Sequence, residues 1–251
     1  MASTQLTRTA STGTNTKATF SAWIKKADAN EQFLFYHFGS SANNFRIRFD
    51  PDTIGVQTLS GSSTVMHLNT SAKFRDPSAF YNIVVAIDST QATDTNRAKI
   101  YVNGVQQTSL SASTYPSQNQ NMHFNESGTV YIGSQAGSNY FNGLMSYVCW
   151  IDGTAYDASY FGETDSSSGI WKIKTSPSVT YGTNGFFLKM DTSSPGTDTS
   201  GNSNTFTAAG TPTLAQDNAS NNLVTFNPLR PNSISQTYSN GNNTVIRTGT
   251  G

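Results

Sequence analysis

Apolar and polar residues alternate with a period of two in many short runs along the chain. In NFRIRFD, residues 44–50, phenylalanine and isoleucine alternate with charged side chains, which predicts a strand with one apolar face. In TFSAWIKK, residues 19–26, Phe20, Ala22 and Ile24 share one face. YNIVVAID, residues 81–88, is apolar on both faces, which predicts a strand that is buried on both sides. No helical period of comparable strength accompanies these runs.

The connections between the runs are rich in residues that form β-turns. AKIYVNGVQ, residues 98–106, predicts a hairpin because Asn and Gly tolerate the positive φ angles of a two-residue loop. Clusters of Gly, Asn, Asp, Ser and Pro separate the other runs. Many short strands with frequent turns predict an all-β fold, a two-sheet antiparallel β-sandwich. We expect minor helix content, with one turn at residues 157–161.

Composition narrows the class of protein. The 251 residues contain 15 Lys plus Arg and 15 Asp plus Glu, so the net charge is zero, which disfavours a nucleic-acid binder. Fifteen Phe and 11 Tyr suffice for a core, so we expect a folded chain. Cys149 is the only cysteine, so stability does not depend on an oxidising compartment. No apolar segment has the length of a membrane span or the character of a secretory signal, so we expect no membrane insertion.

The order of several motifs resembles a known family. TFSAWIKK, RDPSAFYNIVVAIDSTQAT, AKIYVNGVQ, VYIGS and YFNGLMSYVCWIDGTAYDASYFGE together resemble the concanavalin A-like, laminin-G-like jelly roll. They are similar in particular to the form of this domain in virion proteins of tailed phages, especially phages of marine bacteria, where it is often part of a tail fibre. The resemblance covers about residues 6–229 and implies a concanavalin A-like jelly roll.

The domain boundaries follow from this resemblance and from a change in composition. We predict a laminin-G-like domain over residues 1–228, in which residues 165–228 form a long loop and returning strands. Residues 229–251 have few core-forming side chains, so we predict a C-terminal extension or the start of a further region.

Glucanase chemistry is disfavoured by the acidic residues. Laminarinase-type relatives of the fold carry two glutamates and an aspartate on one strand, and a retaining mechanism needs two carboxyl groups roughly 5–5.5 Å apart. Glu163 and Asp165 match the first half of that motif, but Ser168 stands where the second glutamate belongs. The segment also looks turn-like. We therefore predict a protein without enzymatic activity and keep a glycan-processing enzyme as a weaker alternative.

The sequence gives little support for another kind of catalytic site or for a zinc site. The segment GSQAG, residues 133–137, has Gln where a serine nucleophile would stand. His37, His67 and His123 lie in unrelated segments without the spacing of zinc ligands. Cys149 is most simply a small core residue.

A calcium site is a second alternative, because laminin-G-like and lectin members of this fold often bind the ion through loop oxygens. GTDTSGNSN, residues 196–204, offers Asp198, Asn202 and Asn204 as ligands. The other interpretation is an Asx-type turn that needs no ion.

Sugar binding has a physical rationale that the loops partly meet. Aromatic faces contact the apolar patches of sugars, and short polar side chains bind hydroxyl groups. The candidate glycan-binding residues are Tyr115, His123, Asn125, Asn139 and Tyr140. Aromatic residues near strand ends are also common at the edge of a core.

Two function hypotheses follow from the resemblance. The first is a virion adhesin, in a tail fibre or spike, that contacts a host surface polysaccharide. The second is a capsid or tail decoration protein that binds other virion proteins and no glycan. Both place the protein in the virion after synthesis in the host cytoplasm, and both favour a homo-oligomer, a trimer if the protein forms a fibre.

Overall fold

The computed structural model describes residues 3–221, 236–239 and 244–247, and it confirms the all-β prediction. Its strands, in chain order, are β1 Gln5–Ala10, β2 Lys17–Lys26, β3 Gln32–Phe38, β4 Asn44–Asp50, β5 Thr53–Ser60, β6 Ser63–Thr70, β7 Tyr81–Asp88, β8 Ala98–Val102, β9 Val105–Gln106, β10 Leu110–Thr114, β11 Gly128–Ile132, β12 Gly143–Asp152, β13 Gly162–Thr164, β14 Trp171–Ile173, β15 Phe186–Leu188, β16 Thr207–Ala209, β17 Gln236–Ser239 and β18 Thr244–Arg247. Two 3-10 turns, Asp94–Asn96 and Ala158–Tyr160, are the helical elements of the described residues, and the second confirms the turn expected at residues 157–161.

Two antiparallel sheets form the sandwich. The large sheet has the strand order β10-β6-β5-β4-β3-β11-β1-β16, and the small sheet has the order β15-β12-β2-β7-β8-β9. Two hairpins, β13–β14 and β17–β18, form separate two-stranded sheets. Within the described part of the chain, no helix is long and apolar enough to cross a membrane.

The main core fills the space between the two sheets, as the alternation predicts. Phe45, Ile47 and Phe49 of β4 point into it from the large sheet, and Phe20 of β2 points into it from the small sheet. Trp150 of β12 is the centre of a cluster of aromatic rings in this core. Inward-facing residues on both sheets therefore interdigitate in one apolar layer.

The Asn-Gly hairpin forms as the sequence predicts. Asn103 and Gly104 have φ angles of 47° and 80°, the left-handed conformation that a two-residue loop between β8 and β9 needs. A Cβ atom on Gly104 would lie 2.5 Å from the ring of Trp171, so the glycine also leaves space for that indole. The Trp171 Nε1 donates a hydrogen bond to Asn82 Oδ1 at 3.1 Å.

The outer face of the small sheet is covered by the chain that follows β12. Val84, Cys149 and Ile151 on this face pack with Phe161 and Phe187 in a second apolar cluster. Burial raises the pKa of the Cys149 thiol, which suits its expected role as a small core residue. Burial of β7 on both faces is thereby confirmed.

The predicted long loop that starts at residue 165 contains regular structure. Residues 165–178 include β14, which pairs with β13 through Glu163 opposite Lys172. The sequence did not predict this hairpin because each strand has only three residues. The predicted boundary at residue 228 and most of residues 229–251 lie outside the described residues, apart from the paired strands β17 and β18, so the domain boundaries stay a prediction.

Candidate functional site

The candidate glycan-binding residues do not come together in one place. His123 and Asn125 precede β11, whereas Asn139 and Tyr140 follow it, so the two pairs lie at opposite ends of the sandwich. We call these ends the β5–β6 end, near His123, and the β4–β5 end, near Asn139, after the turns found there. Tyr115 follows β10 and packs, partly buried, against the main core. The structure therefore does not bring the five residues together in a common loop site.

Asn125 is a structural residue in this fold. Its side chain is buried and donates hydrogen bonds to Thr14 O at 2.7 Å and to Asp152 Oδ1 at 3.0 Å. Its Oδ1 accepts a hydrogen bond of 2.7 Å from Trp150 Nε1. Because all these partners are protein atoms, the Asn125 side chain is not available to a glycan.

A serine, a histidine and a glutamate at the β5–β6 end are hydrogen-bonded in the order found in a catalytic triad, with His123 in the middle. Its Nε2 lies 2.9 Å from Ser60 Oγ, and its Nδ1 lies 3.1 Å from Glu126 Oε2. However, the backbone amides that follow Ser60 already donate to Asn43 Oδ1 and to Ala42 O. They are not free to stabilise an oxyanion, so this arrangement fits a hydrogen-bonded loop contact better than a nucleophilic centre.

The acidic residues of the partial glucanase motif lie on the exposed β13–β14 hairpin. Glu163 belongs to β13 and lies 3.7 Å from Lys174, and Asp165 lies 2.6 Å from Lys172. A hydrogen bond from Lys172, together with bonds from Ser168, holds the pKa of Asp165 well below its usual range. Both carboxylates face lysines on an exposed hairpin, and neither lies in the apolar surroundings that raise the pKa of a glycosidase's general acid.

The candidate calcium ligands are committed to protein partners. Asp198 Oδ1 accepts hydrogen bonds from the amides of Phe187 and Ser200, and Oδ2 accepts from Ser200 Oγ and the Asn204 amide. Asn204 Oδ1 accepts a hydrogen bond of 2.8 Å from Arg8 Nη1. Asn202 donates to the carbonyl oxygens of residues 182 and 185. Among the described residues, no group of three His, Cys, Asp or Glu side chains could hold a metal either. The oxygens of Asp198 and the Oδ1 of Asn204 are thus already engaged by amides, a hydroxyl and Arg8, an arrangement that matches the Asx-type turn.

Thermal stability should therefore not depend on calcium. We expect the melting temperature to be the same, within about 1 °C, in calcium chloride and in EDTA, because an ion bound only by the folded state would raise it. Differential scanning fluorimetry measures this directly. A calcium-dependent rise that is lost in Asp198→Asn would show that the turn rearranges around an ion.

A cleft of about 260 Å³ lies at the β4–β5 end. Its lining residues are Lys26, Ala27, Asp28, Ala29, Asp52, Arg75 and Pro77. Asn142, close to the candidate residues Asn139 and Tyr140, donates a hydrogen bond of 2.9 Å to Asp28 Oδ2 beside this cleft. None of the described lining residues is aromatic, so the cleft lacks an apolar platform for a sugar ring.

The charges in this cleft neutralise one another. Asp52 accepts a hydrogen bond of 2.6 Å from Arg75 Nε and lies 3.4 Å from the ammonium of Lys26. Lys26 also donates to Pro51 O at 2.6 Å. Burial lowers the pKa of Lys26, against the opposing charge of Asp52. The cleft is thus held together by its own ion pairs.

The outer face of the large sheet carries aromatic and polar side chains in one row across the strands. Strand register places the residues of the row side by side, in the order Thr7, Tyr131, Tyr36, Arg46, Gln57, His67 and Thr114. Phe38 lies on the same face as Tyr36, two residues along β3. We call the set Tyr36, Phe38, Arg46, Gln57, His67 and Tyr131 the aromatic–arginine face.

The rings of this face are close enough to act as a platform. The centroid of Tyr36 lies 6.1 Å from that of Tyr131 and 5.9 Å from that of Phe38, with interplanar angles of 33° and 40°. Tyr36 is buried between its neighbours, whereas Phe38 and Tyr131 are partly exposed. Burial raises the pKa of the Tyr36 hydroxyl, which therefore stays protonated at neutral pH. Neutral hydroxyls and partly exposed rings beside amide and guanidinium groups are suited to an amphipathic ligand.

The sequence alone predicts some of the residues that lie on this face. The alternation in NFRIRFD already predicts that Arg46 points away from the core. In QFLFYHF, residues 32–38, aromatic residues occupy both faces of the strand, so the sequence alone does not tell which rings are outside. A β-bulge between Phe33 and Phe35 decides this, because it changes the register partway along β3.

A comparison with family sequences identifies the domain. The sequence model of the family described as the concanavalin A-like lectin/glucanases superfamily matches residues 2–159. No curated protein matches the sequence significantly.

Several solved structures are similar to part of the chain at low sequence identity. A heptameric SAP-like pentraxin from Limulus polyphemus is 16% identical with a TM-score of 0.45, and the match covers 61% of this chain and 71% of the pentraxin. Domains LG4-5 of the mouse laminin alpha1 chain are 8% identical with a TM-score of 0.44, over 68% of this chain and 44% of the laminin fragment. Tailspike protein 2 from Escherichia coli O157:H7 bacteriophage CAB120 is 13% identical with a TM-score of 0.41, over 60% of this chain and 21% of the tailspike. The chain thus spans less than half of the laminin fragment and about a fifth of the tailspike.

Proposed function

The chain belongs to the concanavalin A-like lectin/glucanases superfamily, and on that premise we propose that it is a non-enzymatic glycan-binding protein of a tailed-phage particle. In this proposal it is a tail-fibre or spike adhesin that presents the domain to polysaccharides of the host surface. The resemblance of its motifs to phage virion proteins supports the place of the protein in the virion. Other virion proteins are its expected partners, and a trimer is the expected oligomer in a fibre.

The observation that carries glycan binding is the aromatic–arginine face. Tyr131 and Phe38 offer partly exposed rings, and Gln57 and His67 offer polar atoms in the same row of the sheet. The outer face of the small sheet is covered by the protein itself, and the cleft at the β4–β5 end is occupied by its own ion pairs. The large sheet is therefore the better surface for a sugar chain.

A non-enzymatic role is supported by the state of the candidate catalytic groups. Glu163 and Asp165 lie on an exposed hairpin and face lysines. Ser60 and His123 lack free neighbouring amides for an oxyanion. Binding without turnover is the function that this arrangement favours.

Glycan binding is tested on an array of bacterial surface polysaccharides with the full chain. We expect saturable binding that Tyr131→Ala weakens about five- to thirtyfold, the effect of losing one or two kcal/mol of ring contact. Tyr160→Ala is the matched control, because Tyr160 is 39% exposed and lies away from the large sheet. It belongs to the 3-10 turn Ala158–Tyr160, which follows strand β12 of the small sheet. The recovered glycan should keep its chain length.

Three outcomes would contradict the proposal. Silence across the array combined with tight association to capsid or tail subunits would support a decoration protein instead. Equal weakening by Tyr160→Ala would move the site away from the large sheet. Shortening of the glycan would show an enzyme.

A further inference from the structure

Arg46 occupies the middle of the aromatic–arginine face. Strand register puts Tyr36 on one side of it and Gln57 on the other. Arg48 follows two residues along the same strand and therefore lies on the same face. Two guanidinium groups thus lie near one another on the same surface.

Arg48 forms ion pairs with two nearby carboxylates. Its Nε lies 3.0 Å from Glu31 Oε1, and its Nη2 lies 3.1 Å from Asp50 Oδ2. Its Nη1 also donates to Gln57 Oε1 at 3.2 Å. The charge of Arg48 is compensated inside the protein.

Arg46 is in a different position. Its Nε is buried and has no hydrogen-bond acceptor in the part of the chain that the structure describes. On the same face, Arg48 Nε and His67 Nε2 also have no hydrogen-bond partner among the described residues, and Asn69 Oδ1 has no donor. Burial, followed by the charge of Arg48, lowers the pKa of the Arg46 guanidinium, and the more distant carboxylates of Glu31 and Asp50 oppose the shift. Arginine remains charged even so, so a cation with an unsatisfied donor remains in a half-buried position.

A buried donor without an acceptor is unfavourable, and a charged one more so. Arg46 is half-buried, so an external carboxylate would approach the accessible part of its guanidinium and accept a charge-assisted hydrogen bond there. The whole protein has no net charge, so a preference of this face for an anionic ligand would come from local charge and not from overall attraction.

The aromatic rings beside Arg46 favour an organic anion with an apolar part over a small inorganic anion. Tyr131 and Phe38 offer partly exposed apolar faces, which a small inorganic anion would leave uncovered. A sugar ring that carries a carboxyl group matches both features, because its apolar patch can lie on an aromatic ring while its carboxylate reaches the guanidinium.

We propose that the aromatic–arginine face binds an acidic polysaccharide, with Arg46 as the residue that recognises a uronate carboxylate. The inference rests on the proposed function and names the ligand class of that same face. Arg46 discriminates the charged sugar from its neutral form, while Tyr131 contributes to the binding of both.

The test compares one oligosaccharide in two charge states. Binding of tetragalacturonate and of its carboxyl-reduced form is measured by isothermal titration calorimetry at low and at moderate salt. We expect the uronate to bind more tightly, and Arg46→Gln to weaken its binding about tenfold or more with little effect on the reduced form. Arg75→Gln is the matched control, since it removes the same charge at the β4–β5 end, where Arg75 pairs with Asp52.

The melting temperature separates recognition from stability. Because the buried Nε of Arg46 has no acceptor in the described part of the chain, Arg46→Gln should leave the melting temperature unchanged or raise it. Loss of binding together with a large fall in melting temperature would indicate a structural role and would overturn the inference.

The remaining outcomes distinguish the inference from the proposed function. Equal binding of both oligosaccharides, weakened by Tyr131→Ala but not by Arg46→Gln, would overturn acidic recognition and leave glycan binding intact. Absence of binding to both, together with a silent array, would overturn the proposed function as well.

Discussion

Asp217→Ala should destabilise the folded protein by about 3–5 kcal/mol, because it removes a carboxylate that lies against a buried ammonium. Asp217 and Lys25 lie 2.8 Å apart, with side chains that are 0% and 1% exposed. Lys25 also lies over the ring of Phe80, 5.3 Å from its centroid. The buried ammonium cannot be hydrated in place of this carboxylate without opening the contact between β2 and the chain around residue 217. Urea denaturation of the purified variant measures the loss.

An exposed ion pair provides the control for this prediction. Lys172 and Asp165 lie 2.6 Å apart, but their side chains are 57% and 25% exposed. Lys172→Ala should therefore shift the urea midpoint far less than Asp217→Ala does. The double variant Lys25→Met with Asp217→Leu should recover much of the loss, since it removes both charges from the interior. A loss from Asp217→Ala as small as that from Lys172→Ala would show that Lys25 reaches water in solution.

Trp150→Ala should cost about 3–5 kcal/mol, the usual range for the loss of a large aromatic side chain from a core. Trp150 stacks on Phe35 with centroids 4.5 Å apart and an interplanar angle of 14°. Phe124 meets the same indole edge to face at 5.4 Å. The ring joins both sheets, so its removal leaves a cavity that neither sheet can close alone. Thermal and urea unfolding followed by tyrosine fluorescence would measure the effect.

Trp150→Phe separates the packing from the hydrogen bond of this residue. Phenylalanine keeps most of the ring contacts but cannot donate a hydrogen bond to Asn125 Oδ1. In the native protein, this oxygen accepts a hydrogen bond of 2.7 Å from the indole nitrogen. We expect an intermediate cost of about 1–3 kcal/mol, the range for leaving one buried polar group unpaired. Equal costs for the Phe and Ala variants would contradict the assigned contribution of ring packing.

Local patterns predicted individual strands and turns well. The alternation in residues 44–50 gave the inward and outward residues of β4 correctly, and Asn103 and Gly104 form the expected turn. These features depend on a residue and its immediate neighbours, because strand pleating and left-handed φ angles are local properties.

The candidate site was harder to predict for a physical reason. Tyr140 and His123 looked similar as polar and aromatic loop residues, yet the strand β11 separates their loops. Tyr36, Arg46 and Tyr131 lie far apart in sequence, and strand pairing makes them neighbours in one row. Such proximity depends on which strands pair and in which register, and no short motif encodes it.

The sequence by itself determined the all-β class, the apolar face of most strands, the hairpin at Asn103 and Gly104, and an overall composition without net charge. Only the tertiary structure decided which faces are covered and which charges find partners. It buries Lys25 with Asp217, gives the carboxylates of Glu31 and Asp50 to Arg48, and leaves the Arg46 Nε without an acceptor among the described residues. Alternation is set by the pleat of a single strand, whereas covering and charge pairing depend on contacts between segments far apart in the chain.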